Sequence, residues 1–251
     1  MTKRKASYKR STSKSRKDAG IEDIPEIVTR NSIDRGFDIV AKYKLTDVHK
    51  SFTELCFNTD TKIAFVDGPA GTAKTYCAAY SALHMLKSHR VDEVVYIRSI
   101  IESASKSMGS LPGEVDDKFL PWTLPLQEKL SELISTSTIS NLFEHNIIKA
   151  VPVNYVRGLT FKDSVVIVDE AQNLTRSELI TILTRFGEDS KMLVIGDTLQ
   201  TDIPRSGFKD IYDTFNDKES EENGVYCFKF TENDIMRSEM LKFIVRKLGS
   251  E

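Results

Sequence analysis

The stretch between residues 63 and 89 constrains the fold more strongly than any other part of the chain. Four apolar residues at 63–66 end in an Asp-Gly-Pro turn at 67–69, which is typical of a buried strand that meets a sharp bend. An alanine-rich pattern with helical spacing follows at 75–89. A strand, a glycine-containing turn and a helix in this order form the repeating unit of an α/β fold.

Short apolar runs and helical patterns continue to alternate along the chain. Further strands are predicted at 93–97, 147–151, 165–168, 192–195 and 225–230. Helices are predicted from a Thr46 cap to Cys56, and at 126–143 (as one or two helices), 174–186, 208–215 and 236–248. Two loops are predicted, a long irregular insertion at 98–125 and an acidic connection at 216–223. This alternation favours a mostly parallel sheet with helices on both faces.

The charge of the chain is divided unevenly. Residues 1–17 carry eight basic side chains and no acidic one, so the remainder has a net charge of −10. We expect a disordered basic tail at 1–17, a lead-in segment at 18–45 and one folded domain at 46–251. Such a tail either binds a polyanion or only improves solubility, and the sequence leaves both interpretations open.

Targeting signals and metal-binding patterns are weak in this sequence. No apolar run approaches the roughly 18 residues of a membrane helix, and no apolar segment follows the basic N-terminus as in a secretory signal. Three dispersed cysteines and four dispersed histidines indicate neither disulfides nor a zinc site. We therefore expect a cytoplasmic protein with no membrane association.

The turn after the first predicted strand has a composition suited to phosphate binding. Backbone N–H groups of such a loop surround phosphates, and the N-terminus of the following helix adds positive potential. Lys74 would bridge the β- and γ-phosphates of ATP, and the Thr75 hydroxyl would hold Mg²⁺. The residues expected to bind nucleotide are Gly68, Pro69, Ala70, Gly71, Thr72, Ala73, Lys74 and Thr75. Ala73 occupies the place before the lysine where this Walker A pattern usually has glycine.

Two later strands also end in polar residues. The β-branched strand at 165–168 is followed by Asp169 and Glu170, although a buried strand has no need of charge unless its carboxyl edge binds a ligand. We expect Asp169 to bind Mg²⁺ through water and Glu170 to polarise the attacking water. After the strand at 192–195, Gln200 is positioned to contact the γ-phosphate.

With these residues the chain resembles the PhoH family, which is related to the superfamily 1 helicases. The resemblance covers roughly 45–248 and rests on six motifs: GPAGTAKT at 68–75, LPGE at 111–114, YVRGLTF at 155–161, VDEAQN at 168–173, LTRFG at 183–187 and GDTLQTDIP at 196–204. It implies a P-loop NTPase three-layer sandwich with strand order 5-1-4-3-2. It also implies ATP and Mg²⁺ as cofactors, RNA or single-stranded DNA as partners, and homo-oligomers such as a hexameric ring.

The resemblance assigns two further residues. The Asp-x-x-Arg motif of the family is matched by Asp234 and Arg237, and that arginine touches phosphate in relatives, in some cases from a neighbouring subunit. Relatives read adenine with a glutamine upstream of the loop, where this chain has His49. We expect neither a nuclease-type acidic cluster nor the second domain of a complete helicase in these residues.

Three functions are compatible with these features. The first is a nucleic-acid-associated, Mg²⁺-dependent ATPase, in which Arg98, Arg157, Arg185 and the basic tail are candidate contacts to nucleic acid. The second is an ATP-dependent regulatory switch or binding module with little net turnover. The third, a small-molecule phosphotransferase, is disfavoured by Glu170 and by the lack of a recognisable substrate lid.

Overall fold

The computed structural model describes residues 36–99, 115–236 and 238–248. The strands are β1 (Ile63–Asp67), β2 (Glu93–Arg98), β3 (Ile148–Pro152), β4 (Ser164–Asp169), β5 (Lys191–Gly196) and β6 (Val225–Lys229). The α-helices are α1 (Asp47–Phe57), α2 (Lys74–Lys87), α3 (Val115–Ser131), α4 (Thr136–Glu144), α5 (Arg176–Leu183), α6 (Phe208–Phe215), α7 (Lys218–Glu222) and α8 (Glu239–Leu248). Predictions for the tail at 1–17, for 18–35, for the motif at 111–114 and for Arg237 fall outside the described residues.

The strands form one parallel sheet in the order β3-β2-β4-β5-β1-β6. The order expected from the family resemblance is confirmed for β6, β1, β5, β4 and β2, taken in that sequence. The sheet also has a sixth strand at its edge, because β3 pairs with β2 from Ile148 opposite Val94 to Pro152 opposite Arg98. All six strands therefore end at the same edge of the sheet.

Helices cover both faces of this sheet, which gives the predicted three-layer sandwich. The fully buried strand β4 illustrates why, since successive side chains of a strand point to opposite faces. Val165 and Ile167 belong to a core shared with α1, α2, α3 and α4, whereas Val166 and Val168 belong to a core shared with α5 and α6. Within the described ranges, no helix combines the length and the apolar character needed to cross a membrane.

The predictions of two loops are partly wrong. The long insertion was expected to reach residue 125, but α3 begins at Val115 and continues through Pro121 and Pro125. Burial of Leu126 and Leu130 against the core of α2 stabilises this helix even though each proline removes a backbone hydrogen bond. The acidic connection contains the short helix α7, because the Asp217 carboxylate caps it by accepting the Ser220 N–H at 2.8 Å.

The loop between β1 and α2 contains two residues with a left-handed backbone conformation. Gly71 has φ +86°, and Ala73 has φ +57° and immediately precedes the first residue of α2. A left-handed backbone costs a residue with a Cβ atom roughly 1–2 kcal/mol, whereas glycine adopts it freely. The alanine that stands in place of the usual glycine is therefore accommodated with backbone strain.

We predict that Ala73→Gly raises the thermal midpoint of unfolding. Relief of the left-handed strain exceeds the extra chain entropy that glycine loses on folding, which leaves a net gain of about 0.5–1 kcal/mol, or roughly 2 °C. Ala78→Gly is the matched control, because Ala78 lies inside α2, where the same exchange costs about 1 kcal/mol or more. Calorimetry of both variants tests this, and a lower midpoint for Ala73→Gly would contradict it.

Candidate functional site

The loop that joins β1 to α2 packs against the C-terminal segment. A Cβ atom on Gly68 would lie 2.6 Å from Cβ of Phe230, and one on Gly71 would lie 2.6 Å from a methyl carbon of Leu241. The backbone N–H of Met236 donates to the Gly71 carbonyl oxygen at 3.0 Å. Larger side chains at either glycine would push the loop away from this support, so close packing requires glycine at both positions, and the left-handed backbone of Gly71 requires it there as well.

His49 supports the same loop from inside the protein. Its ring is fully buried, and Nε2 lies 3.0 Å from the Thr72 carbonyl oxygen while Nδ1 lies 2.6 Å from the Thr46 hydroxyl. Because the Thr72 carbonyl can only accept, Nε2 carries the proton and Nδ1 accepts from Thr46. Both ring nitrogens of His49, which was expected to contact adenine, are therefore hydrogen-bonded inside the protein.

Lys74 is folded back onto its own loop. Its Nζ donates to the carbonyl oxygen of Gly68 and, at 2.9 Å, to that of Pro69. Burial lowers the pKa of Lys74, and the nearby carboxylates, of which Asp197 and Asp169 act most strongly, oppose this shift. The lysine is thus a partly buried cation in an acidic surrounding.

Asp169 is fixed by donors from three elements. The Thr75 hydroxyl donates to its Oδ1 at 2.9 Å, the Tyr96 hydroxyl donates to its Oδ2 at 2.7 Å, and the Glu170 N–H reaches Oδ1 at 3.1 Å. The side chain is almost completely buried. Thr75 and Asp169, which were predicted to share a metal ion, therefore lie side by side, and the Asp169 carboxylate has one defined orientation.

Glu170 is held on both carboxylate oxygens. It has φ +53° directly after β4, and its Oε2 accepts from Nε2 of Gln172 at 2.6 Å. Its Oε1 lies 3.7 Å from a guanidinium nitrogen of Arg98, and 40 % of the Glu170 side chain remains exposed. Gln172 continues this network, since its Oε1 accepts the backbone N–H of Asp197 at 3.0 Å. The acid beside Asp169 is therefore accessible and also restrained.

The turn after β5 is tied to the end of β1. Asp67 is buried and accepts from the backbone N–H of Thr198 at 3.0 Å and from its hydroxyl at 3.1 Å. In the same turn, the Gln200 N–H donates to the Asp197 carbonyl oxygen at 3.1 Å. Burial raises the pKa of Asp197. These contacts place Gln200 next to the loop that carries Lys74.

A cavity of about 430 Å³ lies over the loop and the ends of β4 and β5. This volume falls within the range of roughly 300–1,000 Å³ that is usual for small-molecule sites. Eight predicted site residues line it together: Ala70, Gly71, Ala73, Lys74, Thr75, Asp169, Glu170 and Gln200. His49 does not line it, and the structure adds Tyr43, Tyr76, Lys129 and Glu132 at its wall.

Sequence reasoning missed Tyr96 and Gln172, which organise this site, and named Arg98 only as a candidate contact to nucleic acid. Tyr96 and Arg98 are two apart on β2 and so share a face, and Gln172 follows β4 closely. Burial and the Asp169 charge raise the pKa of Tyr96 far above its usual range. Burial alone would lower the pKa of Arg98, but Tyr96, Asp169 and Glu170 raise it overall. A tyrosine between the aliphatic residues Val95 and Ile97 was the available signal, because a buried hydroxyl needs a hydrogen-bond partner.

Comparison with known proteins gives one consistent result. The sequence profile described as "PhoH-like protein" matches residues 45–248. The PhoH-like protein of Synechocystis sp. (strain ATCC 27184 / PCC 6803 / Kazusa) is 38 % identical over 186 residues, and that of Bacillus subtilis (strain 168) is 34 % identical over 183 residues. Protein PhoH of Escherichia coli (strain K12) is 34 % identical over 182 residues.

These alignments cover most of this chain and about half of each relative. They span 73 %, 73 % and 70 % of this chain but only 55 %, 57 % and 50 % of the respective relatives. Among solved structures, Bacteroides Pif1 bound to ssDNA aligns with 80 % of this chain and 45 % of its own, with a TM-score of 0.36 and 15 % identity. That likeness is too low to say anything about function. The profile and the relatives establish that the chain belongs to the PhoH-like protein family.

Proposed function

We propose that this chain binds ATP with Mg²⁺ in the cavity above the loop and hydrolyses it. One observation carries the proposal: the Thr75 hydroxyl and the Asp169 carboxylate, which are far apart in the chain, meet at 2.9 Å beside Lys74. A hydroxyl, a carboxylate and a lysine at the end of a glycine-containing loop form the usual protein part of a P-loop nucleotide site.

The residues present suit Mg²⁺. This ion prefers oxygen ligands and is usually bound by one or two carboxylates together with water and substrate phosphates. Thr75 and Asp169 supply two such oxygens, and larger His, Cys, Asp and Glu clusters suited to a metal do not occur among the described residues. When bound, Mg²⁺ would neutralise charge that develops on the phosphate oxygens.

The loop and Lys74 would hold the phosphates. The backbone N–H groups of the loop and of the first turn of α2 supply donors and the positive end of the helix dipole. Lys74 Nζ, now bonded to the carbonyl oxygens of Gly68 and Pro69, would exchange these neutral acceptors for anionic phosphate oxygens. Proline and glycine carbonyls in the loop therefore hold the lysine close to its working position.

Glu170 is the candidate general base. It is the exposed member of the acidic pair, so a water molecule can reach its carboxylate, whereas Asp169 is buried and fully engaged. Gln172 would orient the Glu170 carboxylate, and Gln200 would contact the γ-phosphate end of the cavity. In the family resemblance, Arg237 adds a positive charge that stabilises the transition state.

A switch with little basal turnover is the second candidate, and the restraint on Glu170 favours it. The Glu170 carboxylate accepts from Gln172 and faces Arg98, so both of its oxygen atoms are engaged and are less open to an attacking water molecule. Release of Arg98 to another anion would free one of these oxygen atoms. A nucleic-acid phosphate is such an anion, and the basic tail, Arg157 and Arg185 are further candidate contacts for RNA or single-stranded DNA.

We predict that Glu170→Gln binds ATP normally and loses hydrolysis. The amide keeps the shape of the side chain but cannot take a proton from water, so turnover falls by about 100-fold or more. Binding is measured by calorimetry and turnover by phosphate release. Lys74→Ala is the control that loses binding itself, because it removes the main charge facing the phosphates. Normal turnover in Glu170→Gln would place the base elsewhere.

We predict that single-stranded RNA raises the ATPase rate and that removal of residues 1–17 weakens RNA binding. Each lost phosphate contact lowers the slope of log affinity against log salt by roughly 0.7 for single strands. A rate that stays low with RNA present, while ATP still binds, would favour the switch over the ATPase. An unchanged salt slope after truncation would leave the tail with a solubilising role.

We predict that Arg237 of one subunit completes the site of its neighbour in a homo-oligomer such as a hexameric ring. The prediction rests on the family resemblance, in which the arginine of the Asp-x-x-Arg motif contacts phosphate. Mixing two inactive variants, Lys74→Ala and Arg237→Ala, should restore partial activity, because some mixed interfaces contain both residues. Absence of recovery in preparations proven to exchange subunits would mean that Arg237 acts within its own chain.

A further inference from the structure

Two chemically different groups of residues line the cavity. The first group is Lys74, Thr75 and Asp169, which the proposed function uses to hold phosphate and Mg²⁺. The second group is Tyr43 and Tyr76 together with Lys129 and Glu132 of α3. The proposed function gives this second group of residues, which we call the aromatic end, no role.

Contacts of the lead-in segment hold Tyr43 in a fixed position at the aromatic end. The Val40 N–H donates to the Leu133 carbonyl oxygen at 2.8 Å, and the Lys42 N–H donates to the Tyr76 hydroxyl at 3.2 Å. The rings of Tyr43 and Tyr76 pack edge to face with centroids 5.1 Å apart. Backbone and ring contacts on both sides therefore position Tyr43 before any ligand arrives.

The two tyrosines differ in exposure. Tyr76 is 2 % exposed and forms the wall behind, whereas Tyr43 is 40 % exposed and lines the open cavity. Aromatic rings at the wall of a ligand site stack on bases, because every base has a π-face. Next to them, Lys129 Nζ lies 3.0 Å from the Glu132 carboxylate, which places a donor and an acceptor side by side.

His49 does not compete for this role. It is fully buried beneath the loop, both of its ring nitrogens are engaged, and it does not line the cavity. A base in the cavity is therefore not read by the imidazole. The exposed aromatic ring and the polar pair at the aromatic end remain to receive it.

We propose that Tyr43, backed by Tyr76 and flanked by Lys129 and Glu132, is a subsite for the purine base of a nucleoside triphosphate. The proposal rests on the function proposed above, because the phosphates of the same ligand would occupy the loop. Stacking favours the larger purine face over a pyrimidine. A donor beside an acceptor suits the polar edges of both adenine and guanine, so ATP and GTP bind with similar affinity, within about threefold.

The test compares nucleotides with inorganic triphosphate, which has the phosphates and no base. Calorimetry on the full chain with Mg²⁺ measures binding of ATP, GTP, UTP and triphosphate to wild type, Tyr43→Ala and Tyr43→Phe. We expect Tyr43→Ala to weaken ATP and GTP about tenfold through lost stacking and to leave triphosphate unchanged. Tyr43→Phe keeps the ring and should bind like wild type.

Tyr155→Ala is the matched control. Tyr155 is a 68 % exposed tyrosine in the turn after β3 and does not line the cavity, so its removal should alter no affinity. Thermal unfolding of each variant shows whether the fold is intact. Tyr43 is partly exposed and lies outside the helices and strands, so we expect Tyr43→Ala to keep the wild-type midpoint.

Each contrary outcome identifies what failed. Equal losses of ATP and triphosphate in Tyr43→Ala would overturn the subsite and make Tyr43 a support of the loop. Wild-type protein that binds ATP and triphosphate equally tightly would overturn the subsite and leave the phosphate site standing. Wild-type protein that binds neither would overturn both proposals. A loss of RNA affinity with unchanged ATP affinity would assign Tyr43 to nucleic acid and overturn the subsite.

Discussion

The hydrogen bond from the Thr75 hydroxyl to the Asp169 carboxylate joins the start of α2 to the end of β4, and the positions of the other site residues depend on it. The two residues belong to α2 and β4, and β5 lies between β4 and the strand that leads into α2. They meet only because β1, β5 and β4 are parallel and end level with one another, as the pairings of Asp67 with Gly196 and Val168 with Val194 require. Lys74 and Glu170 are the sequence neighbours of the bonded pair, so their positions follow from the same contact.

Electrostatic balance is the second constraint on this edge of the sheet. Four carboxylates, those of Asp67, Asp169, Glu170 and Asp197, surround a single lysine of the loop, and each either accepts hydrogen bonds or faces Arg98. Donors and Lys74 offset the repulsion between like charges this close, although the buried Asp197 Oδ2 has no hydrogen-bond partner. The entry of a further anion is favourable only where cations and backbone N–H groups point, which is at the loop. The acids thereby limit where phosphate can sit.

Much of this site could be predicted, because its residues follow strands directly. The turn at 67–69, the acids after β4 and the glutamine after β5 are local features, and the parallel sheet brings them together. The contacts of Tyr96 with Asp169 and of Arg98 with Glu170, and the orientation of His49, could not be predicted, because they depend on which strands are neighbours and on the directions of single side chains. The start of α3 was missed for a related reason. Prolines in a sequence indicate a break in a helix, but here the burial of Leu126 and Leu130 outweighs that effect, and this burial depends on residues distant in the sequence.

The packing of the C-terminal segment on the loop has a consequence for biosynthesis. Gly68 rests on Phe230, and Gly71 rests on Leu241 and accepts from Met236, so the loop obtains one side of its support, opposite His49, from residues far along the chain. A ribosome releases the N-terminal elements first, and domains tend to fold as units during synthesis. The strand and helix that flank the loop therefore emerge long before these supporting residues. A nascent chain stalled before Phe230 would carry every motif of the phosphate end and still lack this side of the loop's support.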